Sequence, residues 1–265
     1  MKIGFIGAGR MAKAIAKGLL AKGFEADEVG CVSGSGSSAR ALSEETGVRF
    51  YEDVESLAKD ASIWVLALKP FQLDDLPESL VKLSDGKLIL SVLAGVKLEK
   101  LKLKFPNARN WVRTMPNTPS QIGAGVTGLS FANHPSAEDA SIVDKMLSAV
   151  GRTVEIPEAQ MDALTAVSGS GVAYVFEWAA GMMEAAVSLG LSPEDAKILT
   201  LDTFSGASAL MQAQSEIHPE ALRDAVVSKG GTTEAALSVF EANKTRTIIA
   251  DAMTAAAERS KELSK

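Results

Sequence analysis

The sequence predicts an α/β protein: an N-terminal, doubly wound, mostly parallel sheet followed by an all-helical C-terminal domain. Three observations carry this expectation. A short apolar strand at residues 2–6 runs through Gly7-Ala8-Gly9-Arg10-Met11-Ala12 into a helical stretch reaching Leu20. Near-continuous apolar strands then alternate with helical stretches to about residue 157. Beyond Pro157 only helical periodicity remains. Strands apolar on both faces belong to a parallel sheet covered by helices on either side. The expected division is 1–158 for the sheet domain and 159–265 for the helical one.

The G-x-G-x-x-A run between the first strand and the first helix has the context of a Rossmann-type dinucleotide-binding turn. In it Gly7 makes the turn, Gly9 lets a pyrophosphate approach the backbone, and Ala12 keeps helix and sheet close. The helix N-terminus then faces the phosphates. The second strand, Val29–Val32, runs into Ser33, Gly34, Ser35, Gly36, Ser37, Ser38 and Arg40. An NAD site usually places an acid at that strand end to bind the ribose 2′-hydroxyl. Hydroxyls, amides and a guanidinium suit a 2′-phosphate instead. NADP(H) is therefore the expected cofactor, with NAD(H) as the alternative. Asp27 and Glu28 precede the strand and lie at its far end.

Further strands are expected at 48–51, 63–68, 88–92, 110–113, 126–131 and 153–156, with helices at 52–59 and 137–150. Ligands of such sheets bind beyond the strand C-termini. Lys69-Pro70, Ala94-Gly95 and Met115-Pro116-Asn117 end strands, so each either borders the cleft or is plain loop punctuation. In the helical domain, stretches at 160–167, 172–189, 193–214, 219–227 and 233–263 are expected. Gly190 closes one helix, while Ser192 and Pro193 open the next. The 172–189 helix carries Val175, Phe176, Trp178, Met182, Met183 and Val187 and is apolar nearly all round. Such a helix is buried, and a second copy of the chain is the simplest cover for it. A Met and aromatic cofactor box is the less favoured reading.

Before the last of those stretches stands Ser228-Lys229-Gly230-Gly231-Thr232-Thr233. Paired glycines allow a tight turn, and the threonines can cap the helix that follows. The corner offers amides and hydroxyls at the positive end of a helix dipole, which suits a small carboxylate. The bland alternative is an ordinary glycine turn. Composition narrows the class of protein. A net charge of −6 without an aromatic-studded basic patch argues against nucleic acid. The single cysteine, Cys31, excludes an intrachain disulfide and reads as a buried small hydrophobe. His134 and His218 each precede a proline without a Cys or carboxylate cluster, so no metal site is expected. No signal-type segment precedes the first strand and no apolar run reaches membrane-spanning length, so a cytoplasmic protein without membrane partners is expected.

Taken in order, four motifs resemble the pyrroline-5-carboxylate reductase family over essentially the whole chain, together with the Gly-Thr corner. They are Gly7-Ala8-Gly9-Arg10-Met11-Ala12, Leu68-Lys69-Pro70, Arg113-Thr114-Met115-Pro116-Asn117-Thr118-Pro119 and Ser168-Gly169-Ser170-Gly171-Val172-Ala173-Tyr174. The resemblance implies reduction of the cyclic imine 1-pyrroline-5-carboxylate to L-proline by NADPH or NADH, the last step of proline biosynthesis. It implies a homodimer interlocked through the helical domain, or a larger ring of such dimers. It places cofactor contacts at Ile6, Gly7, Ala8, Gly9, Arg10 and Met11, and 2′-phosphate contacts at Ser33 and Ser35. Ribose and nicotinamide contacts fall at Ala67, Leu68, Lys69, Pro70, Ala94 and Gly95. Substrate contacts fall at Ser228, Gly230, Gly231, Thr232 and Thr233, with the Thr233 side chain near the ring nitrogen.

Three positions depart from that pattern. Val172 and Lys229 stand where proline is common, and Asp53 lies near a usual asparagine beside the adenosine ribose, where it weakens a phosphate contact. Lys229 is expected to point to solvent. A 3-hydroxyacid dehydrogenase is similar around Ser168–Gly171 but carries a catalytic lysine four residues past the last glycine; here that position is Val175. A non-catalytic NADP-binding sensor is the other alternative.

Overall fold

The computed structural model describes residues 2–264. Among these, eight strands form one sheet: β1 (Ile3–Ile6), β2 (Val29–Val32), β3 (Arg49–Phe50), β4 (Ile63–Leu66), β5 (Leu88–Ser91), β6 (Asn110–Met115), β7 (Gly125–Phe131) and β8 (Gly151–Glu155). Their order is β3-β2-β1-β4-β5-β6-β7-β8. The strands from β1 to β6 run parallel, β7 is antiparallel to β6, and β8 is parallel to β7. Strand order therefore reverses direction at β1, the switch point at which such sheets open a crevice. Ile6 is level with both Val32 and Leu66, so the segments leaving β1, β2 and β4 emerge at one edge.

The period-2 alternation of side chains sends each strand's residues to two separate cores. Ile3, Phe5, Val29, Cys31, Ile63 and Val65 face one core, packed with α1 (Arg10–Ala21), α2 (Ser37–Thr46) and, after three intervening helices, α6 (Ala137–Ser148). On the opposite face, Ile6, Val32, Trp64 and Leu66 join residues from those three helices, α3 (Val54–Asp60), α4 (Ser79–Leu83) and α5 (Leu98–Lys104). There Trp64 meets Phe105 edge-on at 5.8 Å. Ala12, Ile15, Ala16 and Leu19 form the buried i, i+3, i+4, i+7 stripe of α1. The five-residue α4 and seven-residue α5 are too short to show such a stripe in sequence.

After β8 come α7 (Met161–Leu164), α8 (Gly171–Ser188), α9 (Pro193–Ala213), α10 (Pro219–Ala225), α11 (Thr232–Ala242) and α12 (Thr245–Leu263). The chain forms two compact units. One takes residues up to Ser170 together with those from Ala255 on; the other is Gly171–Thr254. Within the second unit α8 and α9 pack on each other. Their joint follows the expected chemistry: Gly190 has φ +100°, and Ser192 Oγ accepts the Asp195 N–H at 3.1 Å. The helix expected over 233–263 is instead two. Lys244 adopts φ +52°, the Asn243 amide donates to the Val239 carbonyl at 2.8 Å, and the Thr245 hydroxyl donates to the Phe240 carbonyl at 3.0 Å. An asparagine that hydrogen-bonds back to the preceding turn ends a helix without glycine or proline. Among the described residues no helix is long and apolar enough to cross a membrane.

Candidate functional site

A cleft of about 940 Å³ opens at the edge where β1, β2 and β4 end. Of the cofactor residues read from the sequence, Ile6, Gly7, Ala8, Gly9, Arg10, Met11, Ser33, Ser35, Ala67, Leu68 and Lys69 line it. The backbone explains the first turn. Gly7 has φ +102°, and a Cβ there would lie 2.5 Å from the Ala67 backbone. Only glycine fits both constraints. At Gly9 the situation is opposite: a Cβ would meet nothing within 4 Å and would stand in the cleft itself. Gly9 is also the N-cap of α1, and no side chain caps that helix. The amides of its first turn are thus a ready anion site, with the helix dipole behind them.

Pro70, Ala94 and Gly95 do not line this cleft. Pro70 begins a single 3₁₀ turn, Pro70–Leu73, held by the Lys69 N–H donating to Gln72 Oε1 at 2.9 Å. Gly95, at φ +76°, lies so close to the end of α12 that a Cβ would be 2.8 Å from the Leu263 carbonyl oxygen. That glycine answers to a packing constraint from residues far along the chain. Ala94 beside it is exposed.

The β2–α2 segment is an ordered turn. The Gly36 N–H donates to the Ser33 carbonyl at 2.9 Å, and Gly36 N-caps α2 at φ +73°. Ser33 Oγ accepts the Ala39 N–H at 3.2 Å, which leaves its own O–H free to donate, and the Ser35 and Ser37 hydroxyls are 2.9 Å apart. Behind them, burial pushes the Cys31 thiol up to about 11, which makes it a packed hydrophobe without nucleophilic character. Asp53 lines the cleft and also has a structural part. It N-caps α3, accepting the Ser56 N–H at 2.7 Å and the Ser56 hydroxyl at 2.8 Å. These bonds, the backbone one foremost, hold its carboxyl below the usual range, so it stays a charged carboxylate fixed at the helix end.

Two motif segments distant in sequence meet beside β6. The Asn117 amide donates to the Ser168 carbonyl at 3.1 Å, and its Oδ1 accepts the Val126 N–H at 2.9 Å. Ser168 sits in a widened π turn, Thr165–Gly169, closed by the Ser170 N–H donating to the Thr165 carbonyl at 2.8 Å. Such single wide turns recur at functional positions. Buried Arg113 pairs with Glu158 at 3.1 Å, and the same Glu158 oxygen accepts the Leu98 N–H at 2.7 Å. Glu158 carries no motif signal and is visible only as this bridge between β6 and the start of α5.

In the other unit, the Gly-Thr corner is a turn closed by the Gly231 N–H donating to the Ser228 carbonyl at 2.9 Å, with Gly230 at φ +72°. The threonines do not cap the helix. Gly231 is the N-cap, and Thr232 and Thr233 are the first two residues of α11. Glycine serves well at an N-cap, and here Glu234 reaches back one turn so that its carboxylate accepts the Gly230 N–H at 2.6 Å. Glu234 was not read from sequence as part of the corner; its place at the third helical position is the signal that finds it. The first-turn amides of Thr232 and Thr233 and their hydroxyls remain as donors. Thr233 is half-buried, while Lys229 is exposed, as expected. Among the described residues no cluster of three or more His, Cys, Asp or Glu is arranged to hold a metal.

Comparison with known proteins adds to this geometry. Residues 158–263 match the family described as pyrroline-5-carboxylate reductase dimerisation, and residues 2–95 match the one described as NADP oxidoreductase coenzyme F420-dependent. The chain is similar to the pyrroline-5-carboxylate reductases of Pseudomonas aeruginosa, at 39% identity over 100% of this chain and 97% of that one, and of Haemophilus influenzae, at 37% over 98% and 97%. Among solved structures it is similar to the Coxiella burnetii pyrroline-5-carboxylate reductase, with a TM-score of 0.92 and 36% identity over 100% and 98% of the two chains. It is also similar to a Plasmodium falciparum pyrroline carboxylate reductase with NADP bound, with a TM-score of 0.89 and 29% identity over the same shares.

Proposed function

The chain belongs to the pyrroline-5-carboxylate reductase family, and on that premise we propose that it reduces 1-pyrroline-5-carboxylate to L-proline with NADPH. The observation that carries this reading is the full-length match to reductases of that name, one of which has NADP bound. The residues present suit the dinucleotide, because Gly9 leaves open the volume that any Cβ would fill in front of the α1 amides. Once bound, the reduced nicotinamide supplies the hydride.

The rest is work for this chain's side chains and amides. The first turn of α1 would hold the pyrophosphate, the O–H of Ser33 and the Ser35 hydroxyl would serve the 2′-phosphate, and the 67–69 segment would serve the ribose and nicotinamide. Thr232 and Thr233 amides hold the substrate carboxylate, and the Thr233 hydroxyl hydrogen-bonds near the ring nitrogen. With both ligands bound, positioning of the imine for hydride attack would supply much of the rate. A protonated imine is already electrophilic, so no general acid is assigned. A carbonyl substrate needs proton donation more, and Val175 in place of a lysine disfavours a hydroxyacid dehydrogenase.

The functional division follows 1–158 for the cofactor and 159–265 for substrate and dimerisation, supported by the family match over 158–263. We read the active form as a homodimer, or a ring of such dimers, with α8 covered by the second copy. We place it in the cytoplasm, because its single buried cysteine leaves no intrachain disulfide to form. NADPH oxidation that depends on added pyrroline-5-carboxylate is the expected result with the purified chain. Tight NADPH binding without turnover would instead make it a sensor.

A further inference from the structure

The wall of the cleft that follows β3 is acidic. Glu52, Asp53 and Glu55 all line it, a surprising wall for a 2′-phosphate. Two of the three are fixed in place by neutral donors and keep their charge. Asp53 is bound to the Ser56 amide and hydroxyl, and Glu55 accepts the Ser79 hydroxyl at 3.0 Å. Glu52 is highly exposed, and its recorded ion pair is a long one, 3.5 Å from Arg40. Arg40 itself does not line the cleft. Its guanidinium is stacked on the Phe50 ring at 4.5 Å, on the second turn of the helix whose first residues follow Ser33 and Ser35.

Phe50 therefore holds a flat cation beside the serine turn, and Glu52 draws that cation toward itself. A guanidinium at this place matches a phosphate in charge and in fork geometry. A carboxylate beside that cation repels a phosphate and competes with it for the guanidinium. We propose that Arg40 and Glu52 together set the cofactor preference, Arg40 as the cation that meets a 2′-phosphate and Glu52 as the acid that holds Arg40 back and keeps NADH acceptable. This inference rests on the cofactor reading of the cleft.

The test is direct binding, by fluorescence titration of NADPH and NADH in the absence of imine substrate. Glu52→Gln removes the competing charge and leaves Arg40 on its ring; the NADPH-over-NADH affinity ratio is expected to rise about 5-fold. Arg40→Gln removes the cation, and the ratio is expected to fall about 10-fold or more. In the double variant the Glu52 effect should shrink, because its charge acts in part through Arg40. A ratio unchanged in both single variants, with both dinucleotides still bound, overturns this inference alone. If the unmodified chain binds neither dinucleotide, the cofactor reading falls and this inference with it.

Discussion

The two compact units solve the burial of apolar residues in opposite ways. In the sheet unit the strands β1, β2, β4 and β5 are buried at every position, and Trp64, Phe5 and Phe105 have no measurable exposure. In Gly171–Thr254, Ala196 and Thr200 are the residues recorded as buried, while Phe176 remains 66% exposed and Val175, Trp178, Met182, Leu199 and Ile248 are also exposed. Monomeric proteins rarely leave large apolar patches to water, and α8 exposes Val175, Phe176, Trp178 and Met182 within two turns. One unit is finished by its own chain, whereas the other carries a core cut in half. The sheet unit's own residues shape its cleft; the helical unit leaves its large apolar side chains exposed, where the proposed second copy would sit.

The largest expected effect breaks the helical half of that contrast. Burying a phenylalanine contributes roughly 2–3 kcal/mol, and a two-fold interface counts each residue twice. Phe176→Asp is therefore expected to weaken self-association by about 100-fold or more, read by sedimentation equilibrium, with the fold of the sheet unit retained in circular dichroism. An unchanged oligomer would mean that α8 is not the buried face. The next effect sharpens the sheet half. Gly7→Ala forces a left-handed backbone and overlaps Ala67, costing about 3 kcal/mol of stability, a fall visible in thermal melting. A Cβ at Gly9 meets no protein atom, so with Gly9→Ala Tm should hold while NADPH affinity drops about 10-fold or more. Equal Tm losses for the two variants would contradict the cradle.

The smallest effect lies at the opposite end of the sheet unit from the cleft. Hydrogen bonds from the Tyr51 hydroxyl and then the Lys2 ammonium hold the Asp60 carboxyl below its ordinary range, and Arg49 adds its charge. A carboxyl lowered on folding contributes stability that is present above about pH 4 and is lost as pH falls through its folded value. The groups are partly exposed, so Asp60→Asn should cost only about 1 kcal/mol at neutral pH. The difference in stability between the variant and the unmodified chain, read by denaturant titration, should begin to shrink below about pH 4 and vanish as pH passes the lower folded value. A difference that persists undiminished there would show that the carboxylate charge is not responsible.

Much of this was legible in the chain. Strands buried on both faces write themselves as unbroken apolar runs, and Gly7 and Gly9 sit in a local pattern whose geometry is local too. What escaped reading depends on residues far apart or on elements too short for periodicity. The close approach that demands glycine at Gly95 comes from Leu263, far along the chain. Glu158 is meaningful only through Arg113 and Leu98. The break at Lys244 has no glycine or proline, only an asparagine whose amide turns back on the helix. The Gly-Thr corner was legible as a turn, but which residue caps α11 was decided by Glu234 taking the Gly230 amide.

The central claim is a division of labour, with the dinucleotide held by the sheet unit's cleft and the imine held at the Gly-Thr corner. Thr233→Ala tests it most directly, with kcat/KM for pyrroline-5-carboxylate and the NADPH dissociation constant measured on the same preparation. Losing a hydrogen bond to a charged group costs about 1.5–3 kcal/mol, so kcat/KM is expected to fall about 10- to 100-fold. NADPH affinity should stay within about 2-fold, because no cleft residue is touched. Parallel loss of NADPH affinity, or undiminished kcat/KM, would contradict the placement of the substrate.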